Sequence, residues 1–144
     1  MTEHENAVLR RLALKVLRHH AGSDTGAEAF AVAAHRTYDD LARVSAQLIG
    51  QAGVDALTSR ALHLAQQEYP WLVHRREPEQ PDGPFAQVIV CLTRQDPAIA
   101  SEAAGAVFAA LAGLLVTFLG EPLTMQLLRK AWPDAFSDAS TEET

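Results

Sequence analysis

The sequence predicts an all-α fold, a single domain built as a bundle of about six helices, and two observations carry that reading. The chain holds 26 Ala and 18 Leu against 5 Phe, 2 Tyr and 2 Trp, and Ala and Leu are strong helix formers whereas strands draw on β-branched and aromatic residues. Apolar residues also recur three and four positions apart along most of the chain, the period of a helix with one buried face. A length of 144 residues suits one core. Residues 1–133 are read as the helical domain and 134–144 as an acidic tail without regular structure.

The first helix covers residues 7–20. Leu9, Leu12, Ala13, Val16 and Leu17 line one side, and Arg10, Arg11, Lys15 and Arg18 occupy the other, with Leu14 the only large apolar residue among them. Gly22 stops this helix, and Ser23, Asp24 and Thr25 are candidate N-caps for the next. The second helix is expected from about Ala27 to Ile49, with an inner stripe of Phe30, Ala34, Tyr38, Leu41, Ser45 and Leu48. Outside that stripe, Arg36 with Asp40 and Asp39 with Arg43 are spaced for i,i+4 ion pairs, and Gly50 ends the helix. The third helix, about Val54 to Tyr69, buries Val54, Leu57, Ala61, Leu64 and Ala65 and stops at Pro70.

Residues 73–84, with three prolines, form the longest loop. Val88-Ile89-Val90 favours a strand, but Phe85, Val88 and Leu92 fit a helical stripe, and a lone strand has no partner, so residues 85–95 are read as helix. Asp96-Pro97 supplies an N-cap and a first-turn proline for a fifth helix reaching about Leu119. Gly120-Glu121-Pro122 then starts a sixth that ends at Trp132-Pro133.

A weak internal repeat runs through this plan. Leu48-Ile49-Gly50 followed by Leu57, Arg60 and Ala61 matches Phe118-Leu119-Gly120 followed by Leu127, Lys130 and Ala131. Each copy is a long helix, a glycine turn and a shorter helix ending at an aromatic before proline, which suggests two pseudo-symmetric hairpins around a central apolar helix. That helix has no charged residue from Ala103 to Gly120. The stretch is only marginally long enough to span a bilayer, and more than half of it is small or polar, so it is read as a core helix. Gly105, Ala109 and Gly113 give it a smooth face that admits a close helical neighbour, as a second subunit would provide.

Charge and motifs exclude more than they include. The net charge is -6, with +2 on residues 1–20 and -4 on residues 134–144, a balance unfavourable to phosphate backbones and hence to nucleic-acid binding. The single Cys91 excludes an internal disulfide and any multi-cysteine metal site, which suits a reducing cytoplasm. The N-terminal apolar residues are interrupted by basic ones, unlike a signal peptide. No phosphate-binding glycine loop, nucleophile elbow or metal-ligand helix motif occurs, so neither cofactor nor metal is expected.

The expected function is therefore a non-enzymatic regulatory or protein-interaction module. It is read as a homodimer through Gly105, Ala109 and Gly113 or through Leu9, Leu12 and Val16. The basic first helix is also a candidate for contact with a membrane surface. A helical sensor for a small molecule or cofactor is the alternative, with Phe30, Tyr38, Phe85, Phe108 and Trp132 as its walls. A third reading takes His35, beside Arg36 and Asp39, as a phospho-acceptor.

Overall fold

A computed structural model describes residues 3–21, 26–72 and 85–133. Its elements are α1 (Glu3–Ala21), α2 (Ala27–Gln66), α3 (Ala86–Thr93), α4 (Pro97–Leu119) and α5 (Glu121–Ala131), with no strand among the described residues. The predicted second and third helices are the two arms of α2, joined at Gly50, where φ 77° and ψ 163° break the helical path. The predicted acidic tail, the loop at 73–84 and the caps Ser23, Asp24 and Thr25 lie outside the described residues. Gly26 precedes α2 and contributes no side-chain cap.

Local chemistry sets several of these borders. The Asp96 carboxylate accepts a hydrogen bond from the Ala98 N–H at 2.9 Å, and Pro97 costs nothing where no helical N–H is needed. The end of α2 falls at Gln66, three residues short of the expected Tyr69. There the ladder tightens, with Gln67 N–H donating to Leu64 O and Glu68 N–H to Ala65 O. Helical geometry is disfavoured immediately before Pro70, so Tyr69 cannot extend a regular helix.

The two long helices α2 and α4 form the centre. α1 packs mainly on α4, α3 mainly on α2, and α5 touches both. Because neighbours reach α4 from several directions, Ala100, Ala103, Ala104, Val107, Phe108, Leu111, Ala112 and Leu115 are all buried, which explains its lack of a polar face. α4 is the one described helix long and apolar enough to cross a membrane, yet 61% of its most apolar stretch is buried inside the chain.

The repeat has a backbone signature. Gly120, 70 positions after Gly50, adopts φ 90° and ψ 157°, and among the described residues these two glycines alone have positive φ. Burial follows the same offset: Ala33, Ala34, Thr37, Tyr38, Leu41, Ala42 and Ser45 are buried, as are Ala103, Ala104, Val107, Phe108, Leu111, Ala112 and Leu115. Leu48, expected on the inner stripe, is instead 53% exposed, and its counterpart Phe118 is 69% exposed. Each lies two residues before a glycine of positive φ.

Both glycines occupy a backbone region nearly closed to residues with a Cβ. Gly50→Ala and Gly120→Ala are therefore each expected to cost about 1–3 kcal/mol, measured by urea denaturation, although no neighbouring atom lies within 4 Å of either added methyl.

Candidate functional site

The small-residue face of α4 is filled from within the chain. A Cβ built on Gly105 meets Leu14 Cδ2 and Cγ at 3.7 Å and the Arg10 carbonyl oxygen at 3.9 Å. Leu14, the apolar residue set among the cations of α1, thus docks where α4 has no side chain. Leu9, Ala13, Val16 and Leu17 are buried and Leu12 is half-buried against the same core. Gly105, Ala109 and Gly113 are all buried too, so the α4 face expected to receive a second subunit is spent on intramolecular packing.

The neighbouring strip is open in part: Ile99, Glu102 and Thr117 are exposed and Ala110 is half-buried, while Ala106 and Gly113 are buried. Ile99, Glu102, Ala106, Ala110, Gly113 and Thr117 follow one another at three- and four-residue steps, so they lie along one line of α4. A groove of about 350 Å³ runs over this line, floored by Ala106, Ala110, Gly113, Leu114 and Thr117 and walled by Arg10 of α1 and Leu64, Ala65 and Glu68. The Arg10 guanidinium donates to the Glu68 carboxylate at 2.8 Å and so ties the two walls together. That hydrogen bond is the main cause holding Arg10 above its ordinary pKa. The Thr117 hydroxyl donates to Gly113 O at 3.1 Å, which leaves the floor with little polar demand.

The repeat supplies an internal comparison for this strip. The positions of α2 equivalent to Ala106, Ala110, Gly113 and Thr117 are Arg36, Asp40, Arg43 and Gln47. They carry an ordinary solvated face, on which Arg43 pairs with Asp40 at 3.6 Å rather than with the expected Asp39. Asp39 pairs instead with His35, Nδ1 to Oδ2 at 3.3 Å. Within the basic arc of α1, Arg10 finds its acid at Glu68.

The proposed sensor walls form a packed core. Tyr38 stacks on Phe85 with ring centres 4.3 Å apart, Phe85 meets Phe108 at 5.6 Å, and Phe108 meets Trp132 edge to face at 6.0 Å. These four rings are buried and fill one another's space, and Phe30 is partly buried at the edge of the core. Their polar atoms are satisfied. Thr58 donates to Val54 O at 2.8 Å, so at 2.9 Å the Tyr38 hydroxyl is the donor to Thr58 Oγ1. Trp132 Nε1–H donates to Thr37 O at 3.2 Å. Burial raises the pKa of Tyr38.

His35 faces solvent, with Asp39 as its ionic neighbour. Cys91 is half-buried, less enclosed than its apolar run suggests. No group of three His, Cys, Asp or Glu side chains suited to a metal occurs among the described residues. No protein family, curated protein or solved structure matches the chain.

Three substitutions test this packing. Gly105→Ala adds a methyl at ordinary contact distance and removes a helix-interior glycine, so a gain of about 0.5–1 kcal/mol is expected in thermal or urea melts. Gly105→Leu is expected to destabilise the chain by displacing α1. Tyr38→Phe should cost about 1 kcal/mol at neutral pH. Because the folded state favours the protonated phenol, its contribution is complete below the unfolded value near pH 10 and is lost as pH rises through the higher folded value. The alkaline fall in stability should accordingly be shallower in the Phe variant.

Proposed function

We propose that this chain is a non-enzymatic protein-interaction module that receives a partner's helix in the groove along α4. The observation that carries this reading is the contrast between the two halves. α4 keeps Ala106, Ala110, Gly113 and Thr117 along the groove, with Ala110 and Thr117 reaching its open part, where the equivalent strip of α2 is charged or polar. A solvated helix face needs no small residues, whereas a helix that must approach another backbone closely does. Exposed Phe118 extends apolar surface near the end of the strip. Helix-in-groove recognition uses such a floor between two raised walls.

A second copy of the chain is the first partner to test, because C2 dimers are the commonest oligomers. The sensor reading keeps one observation in its favour: a groove of about 350 Å³ falls in the size range of small-molecule sites. Native mass spectrometry separates the two. The expected result is a dimer mass without adduct, lost in Ala110→Trp while the circular dichroism of the fold is retained. Extra mass that leaves on denaturation would move the assignment to a sensor. Monomer mass at every concentration would remove the homodimer.

A further inference from the structure

We infer that the outer face of α1 is a second docking surface, separate from the groove, and that it takes an acidic helix of a partner protein.

Arg11, Lys15 and Arg18 stand at i, i+4 and i+7 on α1. At about 100° per residue they fall within about 60° of one another, on the side of the helix opposite buried Ala13. Arg11 and Arg18 are exposed and Lys15 is half-buried. None of the three makes an ion pair among the described residues. From Ala7 to Ala21 the helix carries no carboxylate. Like charges at these spacings repel and weaken a helix, and no ion pair among the described residues offsets that repulsion. The exposed charges of α2 are arranged differently. Asp40 lies beside Arg43 and Asp39 beside His35, so that face answers its own charges and the face of α1 does not.

Charge complementarity defines the occupant. Three cations spread over about 10 Å of helix match carboxylates at the same spacing on a second helix. A short acidic segment feels mainly the charges within a Debye length, about 8 Å at physiological salt. A bilayer or a nucleic-acid duplex also meets the rest of the chain, whose net charge is -6. Membrane contact further lacks an insertable face, because Leu9, Val16 and Leu17 are buried in the core.

The test uses the full chain and fluorescent Ala-rich peptides of about 20 residues, long enough to hold a helix, with Glu, Gln or Lys at i, i+4 and i+7. Anisotropy at low salt should show the Glu peptide binding at least about tenfold more tightly than the Gln peptide, a lead that shrinks as salt rises. Arg11→Glu, Lys15→Glu and Arg18→Glu together should transfer the preference to the Lys peptide. Ala110→Trp, which fills the groove, should leave the affinity for the Glu peptide unchanged, so a failure of the groove reading and a failure of this one are told apart. Circular dichroism checks the fold of each variant.

Equal affinity for the Glu and Gln peptides would overturn the inference, as would a Glu preference that survives the three reversals. Tighter binding to phosphatidylserine vesicles or to a DNA duplex than to the Glu peptide would give the face to another class of partner and overturn it too. Glu-peptide binding that appears only after Asp134→Asn, Asp138→Asn, Glu142→Gln and Glu143→Gln would assign the face to the chain's own acidic segment and overturn the partner assignment.

Discussion

Four aromatic rings from separate stretches of the chain meet at the centre of this molecule, and the other contacts are arranged around them. Tyr38 belongs to α2, Phe85 precedes α3, Phe108 belongs to α4 and Trp132 follows α5. Offset stacking and edge-to-face contacts reward particular ring angles as well as burial, so the series fixes how the long helices lie relative to each other. Tyr38 and Phe108 are equivalent positions of the repeat, and they face the shared junction from opposite halves. The polar ends of Tyr38 and Trp132 reach Thr58 and the Thr37 carbonyl, which allows these rings to be buried without an unmet hydrogen bond.

With the centre fixed, the two halves diverge at their periphery. α1 has 19 residues and covers a long face of α4, while α3, the corresponding first helix of the second half, has eight and covers less of α2. The uncovered part of α2 bears Arg36, Asp39, Asp40 and Arg43, which water solvates at no cost. On α4 the strip beside α1 is nearly uncharged and is open at Ala110 and Thr117. The same helix-glycine-helix pattern thus carries one solvated face and one groove, and the two differ both in the length of the covering helix and in their side chains.

Most of the fold was legible because its borders are local chemistry. Asp96 before Pro97, Gly50 and Gly120 at positive φ, and Pro70 each act within a turn of their own position. The groove was much less legible. Gly105, Ala109 and Gly113 were recognisable as a small-residue face, yet all three are buried, and the groove opens beside them at Ala110 and Thr117. Between Glu102 and Thr117 the helix has no polar residue to mark its outside, so there the placement of α1 and the end of α2 decides which face remains open. Leu14 carried the missing signal, since a large apolar residue among cations implies a contact on that side. Four of the five aromatic candidates meet, but as a filled core and not as the walls of a cavity, because ring-to-ring packing depends on distances that spacing does not encode.

The bond from Trp132 to the Thr37 carbonyl joins residues 95 positions apart, and this shapes how the chain is born. On a ribosome the first half emerges long before Phe108 or Trp132 can reach it, so Tyr38 must wait for its partners with its apolar surroundings exposed. Helical proteins usually assemble from near neighbours and fold fast, whereas contacts this distant in sequence slow the search. The nascent first half is thus the stage at which aggregation or chaperone capture would intervene.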